Sequence, residues 1–155
     1  MSIEENKALC RGCIDLWNDR DSETAGQNYA GDFAYHGPPG ELRGREAIKG
    51  LWATFLIGFP DMHSTIDHMV AEDDRVVVRR TIRGTHTGLF NGIEPTGNSV
   101  TLPVLEELRI VDGVLAEAWD SFDQLGLMQQ IGAAPATAAA YVEPAAATTP
   151  QGGKR

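Results

Sequence analysis

Residues 100–120 read VTLPVLEELRIVDGVLAEAWD, two alternating runs on either side of Asp112-Gly113. Asp-Gly adopts positive φ at little cost, so the spacing predicts a tight primed turn joining a strand over Val100 to Val111 to one over Val114 to Trp119. Alternation puts Val104, Glu106, Leu108 and Ile110 on one face of the first strand, and Leu105, Glu107 and Arg109 on the other. A carboxylate among apolar side chains is costly to bury without a partner or a purpose. Glu106 is therefore a candidate buried acid, whereas Glu107 reads as solvated. In the second strand Ala116, Ala118 and Asp120 share a face opposite Leu115, Glu117 and Trp119. Two alanines before an aspartate leave open volume beside its carboxyl, as a substrate-facing acid requires.

Upstream, Met62 to Ala71 alternates, Glu72-Asp73-Asp74 makes a turn, and Arg75 to Thr87 is rich in β-branched residues. Of the consecutive Arg79 and Arg80, one must face the helices or a pocket. Leu89 to Asn98 is a loop punctuated by Asn91-Gly92 and Pro95-Thr96-Gly97. Downstream, a short closing helix spans Asp123 to Ile131, with Asp123 suited to cap it. Toward the N-terminus, Ser2-x-x-Glu5 is a capping-box signal for a helix running to about Asn18. Ser22 opens a weaker helix ending near Gly31, and an extended piece from Phe33 to His36 stops at Gly37-Pro38-Pro39-Gly40. A third helix over 45–58 carries Ala47, Ile48, Leu51, Trp52, Phe55 and Leu56 at helical spacing and ends at Phe59-Pro60-Asp61. Helices first and strands afterwards predict an α+β domain, its antiparallel sheet wrapped around three N-terminal helices. If the sheet curls, the layers enclose a cone with one open end, which is a small-molecule pocket.

The chain has 155 residues, is 42% hydrophobic and carries a formal charge of −9. That is one domain's worth of chain, and its field repels phosphate backbones, so nucleic acid is excluded as the expected partner. No apolar run is long enough to span a bilayer, and the acidic N-terminus does not read as a secretory signal. The expected compartment is the cytoplasm. Domain 1–132 is followed by an Ala/Pro-rich stretch, 133–155, with nine alanines and three prolines, expected to be disordered. Cys10 and Cys13 form a C-x-x-C but fall on the apolar stripe with Leu9, Ile14, Leu16 and Trp17, so they read as core.

His63 and His68 point to opposite faces of a regular strand and cannot share a metal without a bulge. His86, in Gly84-Thr85-His86-Thr87-Gly88, reads as holding a turn. No metal is expected. The three lysines, Lys7, Lys49 and Lys154, offer no desolvated amine for a Schiff base. There is no nucleophile elbow, phosphate-binding loop or dinucleotide fingerprint. What remains is carboxylate and imidazole acid–base chemistry with no cofactor.

Several runs resemble the SnoaL-like polyketide cyclase (ester cyclase) family of the NTF2-like superfamily. They are His36-Gly37-Pro38-Pro39-Gly40, Gly44 to Lys49, Phe59-Pro60-Asp61, Gly84 to Gly88, Pro95-Thr96-Gly97 and the closing run from Glu117 to Gly132. The resemblance implies the cystatin-like cone and an intramolecular aldol closure that uses neither metal nor Schiff base. It implies Asp120 as acid/base, first aspartate of Asp120-x-x-Asp123-x-x-Gly126, assisted by His36 or Glu106. Trp17, Leu51, Phe55, Arg79, Ala118 and Asp123 are the expected substrate-binding positions. Characterised cyclases of the family have histidine where Glu106 stands and asparagine where His36 stands, so the implied substrate is only a polyketide-derived ester or ketone. The alternatives are a non-catalytic binder of a hydrophobic small molecule and a hydrolase or hydratase of the same fold. A homodimer or higher homo-oligomer is expected, paired through the valine-rich faces of residues 76–82 and 100–111.

Overall fold

The computed structural model describes residues 1–135. The expectation of a disordered tail thus falls almost wholly outside the described residues. The chain runs α1 (Ile3–Asn18), α2 (Ser22–Gln27), β1 (Tyr29–Gly37), β2 (Gly40–Arg43), α3 (Arg45–Gly58), β3 (His63–Glu72), β4 (Arg75–Thr85), β5 (Ser99–Val111), β6 (Val114–Phe122) and α4 (Gln124–Gln130). The capping box forms: the Glu5 amide donates to Ser2 Oγ at 3.2 Å and the Ser2 amide to Glu5 Oε2 at 2.6 Å. Asp112 (φ 49°) and Gly113 (φ 79°) make the primed turn between β5 and β6.

The six strands form one open sheet in the order β2-β1-β6-β5-β4-β3. All pairs are antiparallel except β1–β6, which runs parallel. No hairpin joins β1 and β6, so no turn fixes their relative direction. The run Gly37-Pro38-Pro39-Gly40, expected only to stop a strand, is itself a hairpin, with Gly37 opposite Gly40. Irregular registers occur at Ile66/His68 on β3 and at Arg109/Ile110 opposite β6. Such bulges bend a strand and increase its twist, which lets the sheet wrap the helices.

The second irregularity corrects the parity expected for β6. Beyond it Leu115, not Ala116, shares the buried side with Ala118. A second correction concerns the valines: Val76, Val78, Val100 and Val104 are buried under the helices and do not form an outer face. α1 lies against β3 and β4, and α3 against β1 and β2. Cys10 and Cys13 are free and buried in this core, where burial pushes their thiols up to about 12 and about 11. Two apolar clusters result, one around α1 and one around the 86–98 loop and α4, with Trp52 touching both. Among the described residues no helix is long and apolar enough to cross a membrane.

Candidate active site

Between the two clusters lies a hollow. Apolar side chains from α3 (Ile48, Leu51, Trp52, Phe55) form one wall and the sheet forms the other. Polar groups enter it from four neighbouring strands: Tyr35 on β1, Arg80 on β4, Glu106 on β5 and Asp120 on β6.

Register brings them together. Glu106 lies directly opposite Asp120 across β5–β6, and Val78, two residues before Arg80, lies opposite Glu106. The Arg80 Nε donates to Glu106 Oε2 at 3.2 Å, and its Nη1 to Ser64 Oγ at 3.3 Å. Its guanidinium also sits 5.4 Å from the ring centroid of Trp52. Burial opposes the Arg80 charge, and the carboxyls of Glu106 and then Asp120 sustain it. The Tyr35 hydroxyl donates to Asp120 Oδ2 at 3.3 Å, while Asp120 Oδ1 is buried without a hydrogen-bond partner. Burial, then the Glu106 charge, hold the Asp120 carboxyl well above the usual carboxylate range, with Arg80 and the Tyr35 hydroxyl pulling the other way. Tyr35 is itself pushed above the ordinary phenol value, by burial and then by Asp120, and stays a neutral donor. Gly37 makes this possible: a Cβ there would lie 2.2 Å from the Tyr35 hydroxyl, which crosses that position to reach Asp120.

Asp120, Glu106, Leu51, Phe55 and Ala118 all line the hollow. Four other expected site residues do not. His36 has the opposite parity to Tyr35 and lies on the outer face of the sheet, stacked on Trp119 with centroids 5.3 Å apart. Its Nε2 meets Glu117 at 2.9 Å and its Nδ1 meets Glu41 at 3.0 Å. Arg79 is exposed, and Arg80, 3% exposed, is the arginine that enters the hollow. Trp17 stands behind the wall: it stacks on Trp52 at 4.9 Å and donates its Nε1 proton to the Tyr29 hydroxyl at 3.1 Å. Asp123 caps α4 through the Gly126 amide at 2.7 Å, and a Cβ on Gly126 would strike that carboxylate.

In Asp-x-x-Asp-x-x-Gly, then, only the first aspartate meets the hollow, and the other two residues build the helix start. Sequence reasoning missed Tyr35 as a site residue, and of the two arginines it left open it named Arg79 where the structure has Arg80. The signal for Arg80 was its phase with Val76, Val78 and Ile82. Its neighbour Arg79 is in phase with Arg75, Thr81 and Arg83.

His86 is buried and accepts from Thr96 at Nδ1, anchoring the 86–98 loop as expected. The bulge in β3 leaves both His63 and His68 exposed, and among the described residues no cluster of His, Cys, Asp and Glu suits a metal.

A family model described as SnoaL-like polyketide cyclase matches residues 7–131. The sequence matches no curated protein. Among solved structures, AclR from Streptomyces galilaeus, named as a candidate hydroxylase, is 33% identical with a TM-score of 0.79, over 89% of this chain and 91% of that one. IdmH from Streptomyces antibioticus, named as a candidate polyketide cyclase, is 30% identical with a TM-score of 0.73, over 82% and 98%. An NTF2-like protein of unknown function from Burkholderia pseudomallei shares the fold at 21% identity and a TM-score of 0.72, over 85% and 99%.

Proposed function

The chain belongs to the SnoaL-like polyketide cyclase family, and from that premise we propose that it is an acid/base enzyme closing a ring on a polyketide-derived ester or ketone by intramolecular aldol condensation. One observation carries this reading: an aspartate carboxyl, one of its oxygens fully buried, set in an apolar hollow opposite a second acid. Burial and the facing Glu106 charge hold the proton on the Asp120 carboxyl beyond the usual carboxylate range. In its ionised form Asp120, made the stronger base by its raised pKa, takes the proton α to the ester or ketone carbonyl. The resulting enolate carbon attacks the second carbonyl, and Asp120 delivers the proton it took to the new alkoxide. One C–H bond breaks, one C–C bond and one O–H bond form, and the pair ends with the proton count it began with. Arg80 and the Tyr35 hydroxyl supply positive potential and a hydrogen bond where the enolate oxygen develops charge. The apolar wall of α3 folds the flexible chain so that its two carbonyls meet. The same reading takes an apolar, oxygenated small molecule as partner and a second copy of the chain on the outer sheet face.

The test is deuterium exchange at the α-carbon of an aryl β-keto ester in D₂O, followed by NMR. Wild-type protein accelerates exchange, and Asp120→Asn loses about 10² to 10⁴ of that acceleration. Full exchange by Asp120→Asn overturns the assignment. Binding of the ester with no exchange in either protein leaves the chain a binding module.

A second reading has its own support. Glu106, Arg80 and Asp120 form an acid–arginine–acid set that suits a held water, as hydrolysis or hydration of an epoxide or olefin requires. Incorporation of solvent oxygen-18 into product would select this reading, because ring closure incorporates none.

A further inference from the structure

We propose that the binding site continues past the inner hollow into a second compartment, so that the substrate is an elongated apolar carbonyl compound with its reacting end at Asp120 and its far end between α3 and α4. This rests on the reading of Asp120 as the group that meets the carbonyl. The second hollow shares Leu51, Phe55 and Phe122 with the walls of the first. Phe55 is the partition. Its ring lies 5.2 Å from that of Phe90 and meets Phe122 edge-on at 6.4 Å, so aromatic rings stand where the two compartments adjoin.

Direction follows from β6. Its residues facing the hollow are Ala118, Asp120 and Phe122, one pleat repeat of about 6.6 Å apart. A carbonyl at Asp120 therefore aims the rest of an extended molecule along the strand, past Phe122, into the outer hollow. That hollow is walled by Phe90 and Met128, and the exposed amides of Asn91 and Gln124 stand at its rim. The chemistry suits an apolar body with a polar far end. The Phe90 wall is preformed. Its loop is closed by the His86 amide donating to Asn98 O at 2.9 Å and the Gly97 amide to His86 O at 2.8 Å, and the Gly88 amide ties it to Gly58 O at 3.1 Å.

Isothermal titration calorimetry of the whole chain with 1-naphthyl alkyl ketones of increasing chain length, and with the matching alkylnaphthalenes, tests this. Each methylene that enters an apolar compartment raises affinity about fourfold. In the wild type the gain continues beyond the chain length that fills the inner hollow. In Thr54→Trp and, independently, Met128→Trp, which fill the outer hollow from α3 and α4, the gain stops several methylenes earlier. Identical stopping lengths in wild type and both variants overturn the proposal. The ketones' advantage over the hydrocarbons reads Asp120 separately. Its loss in Asp120→Ala supports the carbonyl assignment, and its absence in the wild type overturns that assignment while the chain-length series still reports on the second compartment.

Discussion

Asp120 owes its chemistry to surroundings that disfavour its charge, and those surroundings cost the fold stability. An unfolded aspartate titrates near 3.9. With the folded value raised by burial and Glu106, the unfolded chain gives up this proton at a lower pH than the folded chain does. The carboxyl's contribution is therefore complete below about pH 4 and is lost as pH rises through the folded value. Asp120→Asn removes that loss. Its melting temperature is expected to exceed the wild type's at about pH 8 and to converge with it near pH 4, and a variant less stable than wild type at both ends would refute this. Glu106 has the opposite role, since it is the carboxylate that meets the Arg80 guanidinium. Glu106→Ala strands that charge and is expected to cost about 3–5 kcal/mol in urea unfolding, whereas Arg80→Met with Glu106→Leu recovers most of the loss. Equal losses in the single and double variants would mean that the pair is not what the hollow needs.

Between elements, the parallel seam β1–β6 is bridged on its outer side by His36. Its ring bonds Glu41 on β2 and Glu117 on β6 and stacks on Trp119. Glu117 and then Glu41 raise its pKa above the ordinary histidine value. The stabilisation is complete below about pH 6.5 and is lost as pH rises through the folded value. His36→Gln is expected to flatten the fall in melting temperature from about pH 6 to pH 8. It should leave α-proton exchange intact, because the ring is on the far side of the sheet from Asp120. Loss of exchange in His36→Gln would return His36 to the chemistry. His36 also shows where the sequence was legible and where it was not. The ends of α1 and α3, the Asp112-Gly113 turn and the inward phase of Glu106 follow from local rules, and the structure has them, whereas α2, expected to reach Gly31, stops at Gln27 where β1 takes over the chain from Tyr29. Which of Tyr35 and His36 faces inward depends on the register β1 takes against β6, a strand about 80 residues away. The Ala116 irregularity reverses phase within β6 with no local residue to announce it. Pro38-Pro39 reads as a strand stop because proline lacks the amide for a ladder, yet the two residues between Gly37 and Gly40 need none.

At the scale of the molecule the helices cover one sheet face, and the proposed contact between copies falls on the opposite face. The fold and family were legible because an ordered set of motifs spans most of 5–132. The site's full membership was not, because its polar groups come from four strands and its wall from a helix. The outer face carries Val70 and Leu105, each 51% exposed, on strands flanking β4, with Arg79 opposite Leu105. Arg75 also pairs with Glu107 across this surface and lies 5.2 Å from the Trp119 centroid. Apolar patches edged by both signs of charge are self-complementary about a twofold axis. A stable pair buries about 1,600 Å² in total, which several strands of such a face can supply. In a twofold interface each substitution acts twice, and Leu105→Asp brings two new acids toward one another in a chain already at −9. The wild type is expected to scatter light as twice the chain mass at about 10 µM and Leu105→Asp as a single chain, with the far-ultraviolet dichroism of the two alike. The magnitude follows from like charges held close in a desolvated contact, which cost several kcal/mol. A wild-type monomer at that concentration, or a dimer that survives Leu105→Asp, would move the contact elsewhere on the chain and leave the hollow, which opens on the other side of the sheet, untouched.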